Sequence, residues 1–189
     1  MRGNYRSIYT ACALLGALSS SACLVVSLQP LYDDASVVFE EALVGRWEDA
    51  DDQISATVER GDWKSYKISY TDRSSTRPLN GNLTSVENVL FLDLTELRGS
   101  DPGPYLVPVH GIFRVTLDDD TLTATPLDYG WFTRAVAQKT GGRLNLALDD
   151  RRNVVMTSPT DEIRRWLVRP PLPAFGTAMT FVRKAEKGP

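Results

Sequence analysis

The sequence predicts a mainly β domain, built as an antiparallel barrel or strongly curved sheet of about eight strands with two short helices. Three observations carry this. Short apolar–polar alternations recur from Val37 almost to the end of the chain. Acid–glycine and aspartate-rich turns separate them. Only two stretches, both late, combine a helical period with capping residues.

Taken in chain order, VVF from Val37 reads as a short leading strand and LVGRWED as the first main one. QISATVER puts Ile54, Ala56 and Val58 on one face, WKSYKISY does the same with Tyr66, Ile68 and Tyr70, and ERGDW between them has the chemistry of a tight hairpin. RSSTRPLNGN, Arg73 to Asn82, reads as a loop. SVENVLFLDLTEL gives a strong strand with a turn at Asn88, followed by the Gly/Pro-rich loop RGSDPGPY. VHGIFRVTL and TLTATPL flank Asp118–Asp120 as a hairpin, its inward face formed by Gly111, Phe113, Val115 and Leu117 against Leu122 and Ala124. DYGWFTRAVAQKTGG predicts a helix capped by Asp128 and stopped at Gly141-Gly142, burying Trp131, Phe132, Ala135 and Val136. LNLAL and NVVMTS read as short strands. SPTDEIRRWLVRPP predicts a second helix, with Ser158 as N-cap, Pro159 at the first helical position and Ile163, Trp166 and Leu167 buried. FGTAMTFVRK closes the chain as a final strand.

Residues 1–22 have the three-part layout of an export signal: MRGNYR with two arginines, the apolar IYTACALLGAL, then small residues up to Cys23. The apolar run is too short for a bilayer span, which needs roughly twenty residues. The expected division is a signal peptide over 1–22, a tether over 23–36 and a β-rich globular domain over 37–189. Cys12 and Cys23 are the two cysteines, so removing the signal leaves Cys23 alone and no disulfide.

The Ser21-Ala22-Cys23 boundary resembles the lipobox of bacterial lipoproteins, although Ser20 stands where that family prefers a branched aliphatic residue. The resemblance implies cleavage before Cys23, acylation of its sulfur and acylation of the new amino terminus. Two or three acyl chains make release from a bilayer slow, where one holds only marginally. Leu24 stands where an aspartate usually marks retention in the inner membrane, so the resemblance implies an outer-membrane anchor facing the periplasm. The order CLVVSLQPLY, VGRWED, LFLDL, LVPVH and a late capped helix is also similar to small bacterial lipoproteins, a likeness that brings no activity with it.

GRW, Gly45 to Trp47, resembles the G-x-W signature of lipocalins. It implies an eight-stranded barrel closed at one end by Trp47, with Arg183 or Lys184 stacked on the indole. LDYG at Leu127 faintly resembles that family's later T-D-Y motif. Such a barrel implies a small hydrophobic ligand, and a protein-interaction module in envelope assembly is the alternative.

Composition narrows the chemistry. With a formal charge of -3, and both arginines of the signal segment lost on cleavage, the chain lacks the basic balance of a nucleic-acid binder. His110 is the only histidine and shares strand parity with Ile112 and Arg114, opposite the inward set. As a base it lacks partners at recognisable positions, which leaves an envelope hydrolase as the minor reading. Asp93 and Glu96 are a conceivable acid–base pair, with Asp93 interrupting an apolar strand. Asp49, Asp51 and Asp52, and Asp118 to Asp120, lack calcium-loop spacing and read as solvated turns. With no phosphate-cradling, dinucleotide or nucleophile-elbow motif, the expectation is a non-enzymatic protein with no cofactor and no metal.

Overall fold

The computed structural model describes residues 24–50, 53–73, 75–97 and 107–185. The export segment, Cys23, Asp51, Asp52 and the loop from Arg98 to Tyr105 lie outside the described residues. Eight antiparallel strands close into a barrel: β3 (Gly45–Asp49), β4 (Ser55–Arg60), β5 (Ser65–Thr71), β6 (Thr76–Val86), β7 (Val89–Glu96), β8 (His110–Asp118), β9 (Thr121–Pro126) and β12 (Met179–Lys184). Each pairs with its neighbour in sequence, and the ring is completed by β9 with β12 and β12 with β3. Closure leaves no unpaired barrel edge.

The expected alternation holds. Trp47, Val58, Tyr66, Ile68, Leu83, Leu92, Val115, Leu122, Ala124 and Phe181 form one buried cluster inside the barrel. Gly81 is needed there, because a Cβ at that position would stand 2.8 Å from Ile68 Cδ1 and 3.3 Å from Leu94 Cδ2. Tight turns set the register. Glu87 and Asn88 both have positive φ between the paired Val86 and Val89, the geometry of a two-residue hairpin turn that twists with its strands.

The remaining elements cover the outside of β6, β7 and β8. They are β1 (Val25–Ser27), β2 (Val37–Val38), α1 (Tyr129–Gln138), β10 (Leu146–Leu148), β11 (Val154–Met156) and α2 (Thr160–Leu167). All but β1 and β2 lie between barrel strands β9 and β12, whereas in lipocalins the main helix follows the eighth strand. A small side sheet, β10-β11-β1, joins the barrel where Ser27 pairs with His110. Val86, Phe91 and Ile112 on the barrel's outer face pack with Phe132, Leu144, Met156, Ile163 and Leu167 into a second core. Trp131, Phe132 and Trp166 meet there with ring centroids 4.8–5.9 Å apart.

Three sequence expectations need correction. The segment Arg73–Asn82 is not a loop, since β6 begins at Thr76. Pro78 is tolerated because its carbonyl accepts from Leu97 N beyond the end of β7, so its missing N–H also faces the side where no strand follows. The stretch 24–36 is no tether. Val25, Val26 and Ser27 pair in register with Val154, Val155 and Met156, and Leu31 is fully buried. Ser158 does not cap α2, whose N-cap is Pro159, and its hydroxyl instead accepts from Asn145 N at 2.8 Å. By contrast Asp128 does cap α1, accepting from Trp131 N at 2.5 Å. Trp63 is 60% exposed on the β4–β5 turn with φ of 55°.

Candidate functional site

The two ends of the barrel differ. At the end where β3 begins, Leu43 enters from the preceding short helical turn (Glu41–Leu43) and is fully buried with Trp47, Tyr66 and Leu83. Trp47 Nε1 donates to Leu43 O at 2.9 Å. The Arg183 guanidinium lies 4.3 Å from the Trp47 ring centroid, donates through Nη1 to Val44 O at 2.8 Å and through Nη2 to Ala42 O, and meets Asp120 at 3.2 Å. Gly45 makes room for this lid: its φ is +139°, and a Cβ would stand 2.7 Å from Arg183 Nη1. Lys184 turns away to Glu48 at 3.4 Å. The Tyr66 hydroxyl accepts from Glu40 N at 2.7 Å, its ring stacks on Phe39 at 4.8 Å, and burial pushes the phenol above its usual 10.0. This end is sealed.

At the other end most inward side chains are apolar but only half-buried. Ile54, Leu79, Leu94, Phe113 and Met179 pack on the barrel core toward the strand ends remote from Trp47, with Ala56 beside them as the cross-strand partner of Trp47. Tyr70 joins this layer, paired across the sheet with Ala56 and Arg77. Burial raises its phenol pKa from 10.0, and the Arg77 guanidinium stands 5.6 Å from its ring while pairing with Asp72. The result is a half-exposed, largely apolar layer over a floor of close-packed side chains, with Arg77, Asp49 and Glu96 at its rim. Beside it, Leu97 is 44% exposed and Val109 40% exposed, on either side of residues 98–106.

A concavity of about 520 Å³ lies on the shoulder of the Trp47 end, between Glu40, Ala42 and the ends of β7 and β8, and reaches the inward-facing Leu90, Val115 and Leu117. Its lining mixes Glu40, Arg114 and Thr116 with Leu90, Val115 and Leu117, and it is open to solvent. The largely apolar layer at the opposite end, edged by Asp49, Glu96 and Arg77, is the better match to a small-molecule site, where apolar walls dominate and a few polar groups orient the ligand.

Sequence reasoning missed the main polar cluster. Asp93 and His110, both buried, point outward from adjacent barrel strands, and His110 Nδ1 meets Asp93 Oδ1 at 2.7 Å. Asp93 Oδ2 accepts from Leu31 N at 2.7 Å. Its carboxylate also adds to the burial that lifts the Tyr32 phenol. Ser27 faces His110 across the bridge, but its hydroxyl donates to Gln29 O at 2.7 Å and accepts from Gln29 N at 3.0 Å. Each group is thus engaged in holding the segment after β1 against the barrel. Arg164 finishes this clamp, reaching Leu31 O, Thr84 Oγ1 and Ser85 O at 2.9–3.0 Å. Asp93 is not brought to Glu96, which lies on the opposite strand face and is exposed.

The acidic turns have structural partners. Asp49 Oδ1 accepts from Gln53 N and Ile54 N at 2.8 and 3.1 Å, and Asp120 supports Arg183. Among the described residues no group of three or more His, Cys, Asp or Glu is placed to hold a metal ion. Among them, too, no helix is long and apolar enough to cross a membrane. The chain matches no family model, and neither a similar curated protein nor a similar solved structure was found.

Proposed function

We propose that this is a lipid-anchored, non-catalytic lipoprotein of the bacterial cell envelope that takes a small apolar ligand into the open end of its barrel. One observation carries the binding half: a barrel sealed at Trp47 keeps a half-exposed apolar layer, Leu79, Leu94, Phe113 and Met179, at its other end. The anchoring half rests on the export-signal layout and on Cys23 behind small residues. The engaged state of Asp93, His110 and Ser27 favours binding over bond-breaking.

The anchor is tested by feeding labelled palmitate to producing cells. The label should enter the protein and disappear in Cys23→Ala, and label retained by that variant refutes the assignment. The site is tested with an environment-sensitive apolar dye. Saturable enhancement should be lost in Leu94→Arg but kept in a variant of the shoulder groove, Thr116→Arg, and the reverse order refutes the placement. The exposed Leu97 and Val109 beside this layer favour a second reading, a docking rim for an envelope protein. Dye binding unaffected by Leu94→Arg would turn attention there.

A further inference from the structure

The chain just after Cys23 is held without slack. Leu24 N donates to Asn153 Oδ1 at 3.1 Å and Leu24 O accepts from Val154 N at 2.9 Å, so the fold begins one peptide unit from Cys23. Successive Cα atoms are only about 3.8 Å apart. β1 and β11 are parallel, with Val25 opposite Val154. The chain upstream of each strand therefore leaves the side sheet at the same end. Upstream of β1 that is Cys23; upstream of β11 it is the turn Asp149–Arg152. Leu148 of β10 pairs with Val154 and lies at this end too.

The surface there suits a headgroup layer. Leu24 is 54% exposed and Leu148 41% exposed, with Arg151 and Arg152 exposed between them. Asp149, itself exposed, accepts from the backbone and side-chain N–H groups of Asn153 at 2.7 and 2.8 Å, bonds that lower its carboxyl pKa from 3.8. Asp150 remains on the surface. Arginines flanked by leucines fit phosphate oxygens above an acyl boundary.

We infer that this end of the side sheet, Leu24, Leu148 and the turn at Arg151-Arg152, rests directly on the bilayer that holds the acyl chains. The protein then rides on the membrane by a fixed face rather than on a flexible leash. The inference rests on the proposed acylation of Cys23, and its test separates the two.

Full-length acylated protein is placed in vesicles of phosphatidylethanolamine and phosphatidylglycerol carrying a doxyl-labelled lipid. Single cysteines at the exposed sites Leu148→Cys, Arg151→Cys and Thr57→Cys each carry an environment-sensitive dye. Thr57 lies on β4, across the barrel from β8, where the side sheet attaches. The dyes at 148 and 151 should be quenched at least twofold by the doxyl lipid and the dye at 57 left unchanged. If protein that floats with the vesicles and carries acyl mass shows equal quenching at all three sites, the proposed face is wrong. If it neither floats nor carries acyl mass, the acylation reading fails and this inference with it.

Discussion

Removing Arg183 from the sealed end should destabilise the barrel more than its position near the end of the last strand suggests. In Arg183→Ala, the carbonyls of Val44 and Ala42 lose charge-assisted donors, and the indole of Trp47 loses its stacked cation. Each such bond contributes about 1 kcal/mol once partial exposure is allowed for. The cation–π contact adds about 1 kcal/mol. The pair with Asp120, whose side chain is 76% exposed, contributes close to nothing. The loss is therefore about 3 kcal/mol, or roughly 6–12 °C in Tm for a chain of this size. Thermal unfolding followed by circular dichroism reads the shift, and Trp fluorescence reports water reaching Trp47. Arg183→Lys keeps the charge but not the planar fork, and should recover less than half of the loss. A fall of less than about 2 °C in Arg183→Ala, or a lysine variant equal to the parent, would refute the view that the guanidinium fork seals this end.

Three further outcomes follow from the geometry. Asp93→Ala leaves Leu31 N–H and His110 without their buried acceptor, so urea unfolding should show a loss of about 2–4 kcal/mol while dye binding to folded protein is unchanged. Gly81→Val forces a Cβ to 2.8 Å from Ile68 Cδ1 and should cost about 2–3 kcal/mol or prevent folding, whereas Gly142→Ala, with nothing within 4 Å and a φ of +67°, should cost only about 1 kcal/mol. Burial raises the Tyr66, Tyr70 and Tyr32 phenols above 10.0 in the folded state, so their contribution is complete below the unfolded value and is lost as pH climbs through the folded ones. The urea midpoint should fall steadily above pH about 10, and absorbance at alkaline pH should show tyrosines ionising only as the protein unfolds. A single titration of all tyrosines at the free value, with the fold intact, would contradict this.

Much of the barrel was legible because strand parity is a local signal. Ile54, Ala56 and Val58, and then Tyr66, Ile68 and Tyr70, show their shared face without any knowledge of what they pack on. Asp128 likewise announces its helix by chemistry confined to a few residues. The errors arose where context overrides composition. Arg-Pro-Leu-Asn-Gly-Asn has the make-up of a loop, yet it runs as a strand because Pro78 turns its missing N–H beyond the neighbouring strand and Gly81 yields space to Ile68. Ser158 has the chemistry of a cap, but Asn145 N claims its hydroxyl.

The polar cluster was hidden for another reason. Asp93 and His110 share the outward parity of adjacent strands, which was readable, but the register between those strands depends on the connection before His110. The third participant, Leu31 N, comes from a segment read as a tether. Inside the barrel, alternation identified the inward residues, while the burial difference between Leu83 and Leu94 depends on which end the lid of Leu43 and Arg183 covers. That asymmetry is tertiary and has no signature in sequence spacing.

Native mass spectrometry of protein gently extracted from its own membranes tests the central claim most directly. The account predicts a chain beginning at Cys23 that carries the mass of two or three acyl chains, together with a small apolar adduct that Leu94→Arg removes while the acyl mass stays. A chain beginning upstream of Cys23, or one without acyl mass, contradicts the anchor. An adduct that survives Leu94→Arg, or no adduct in the parent protein, contradicts the binding site.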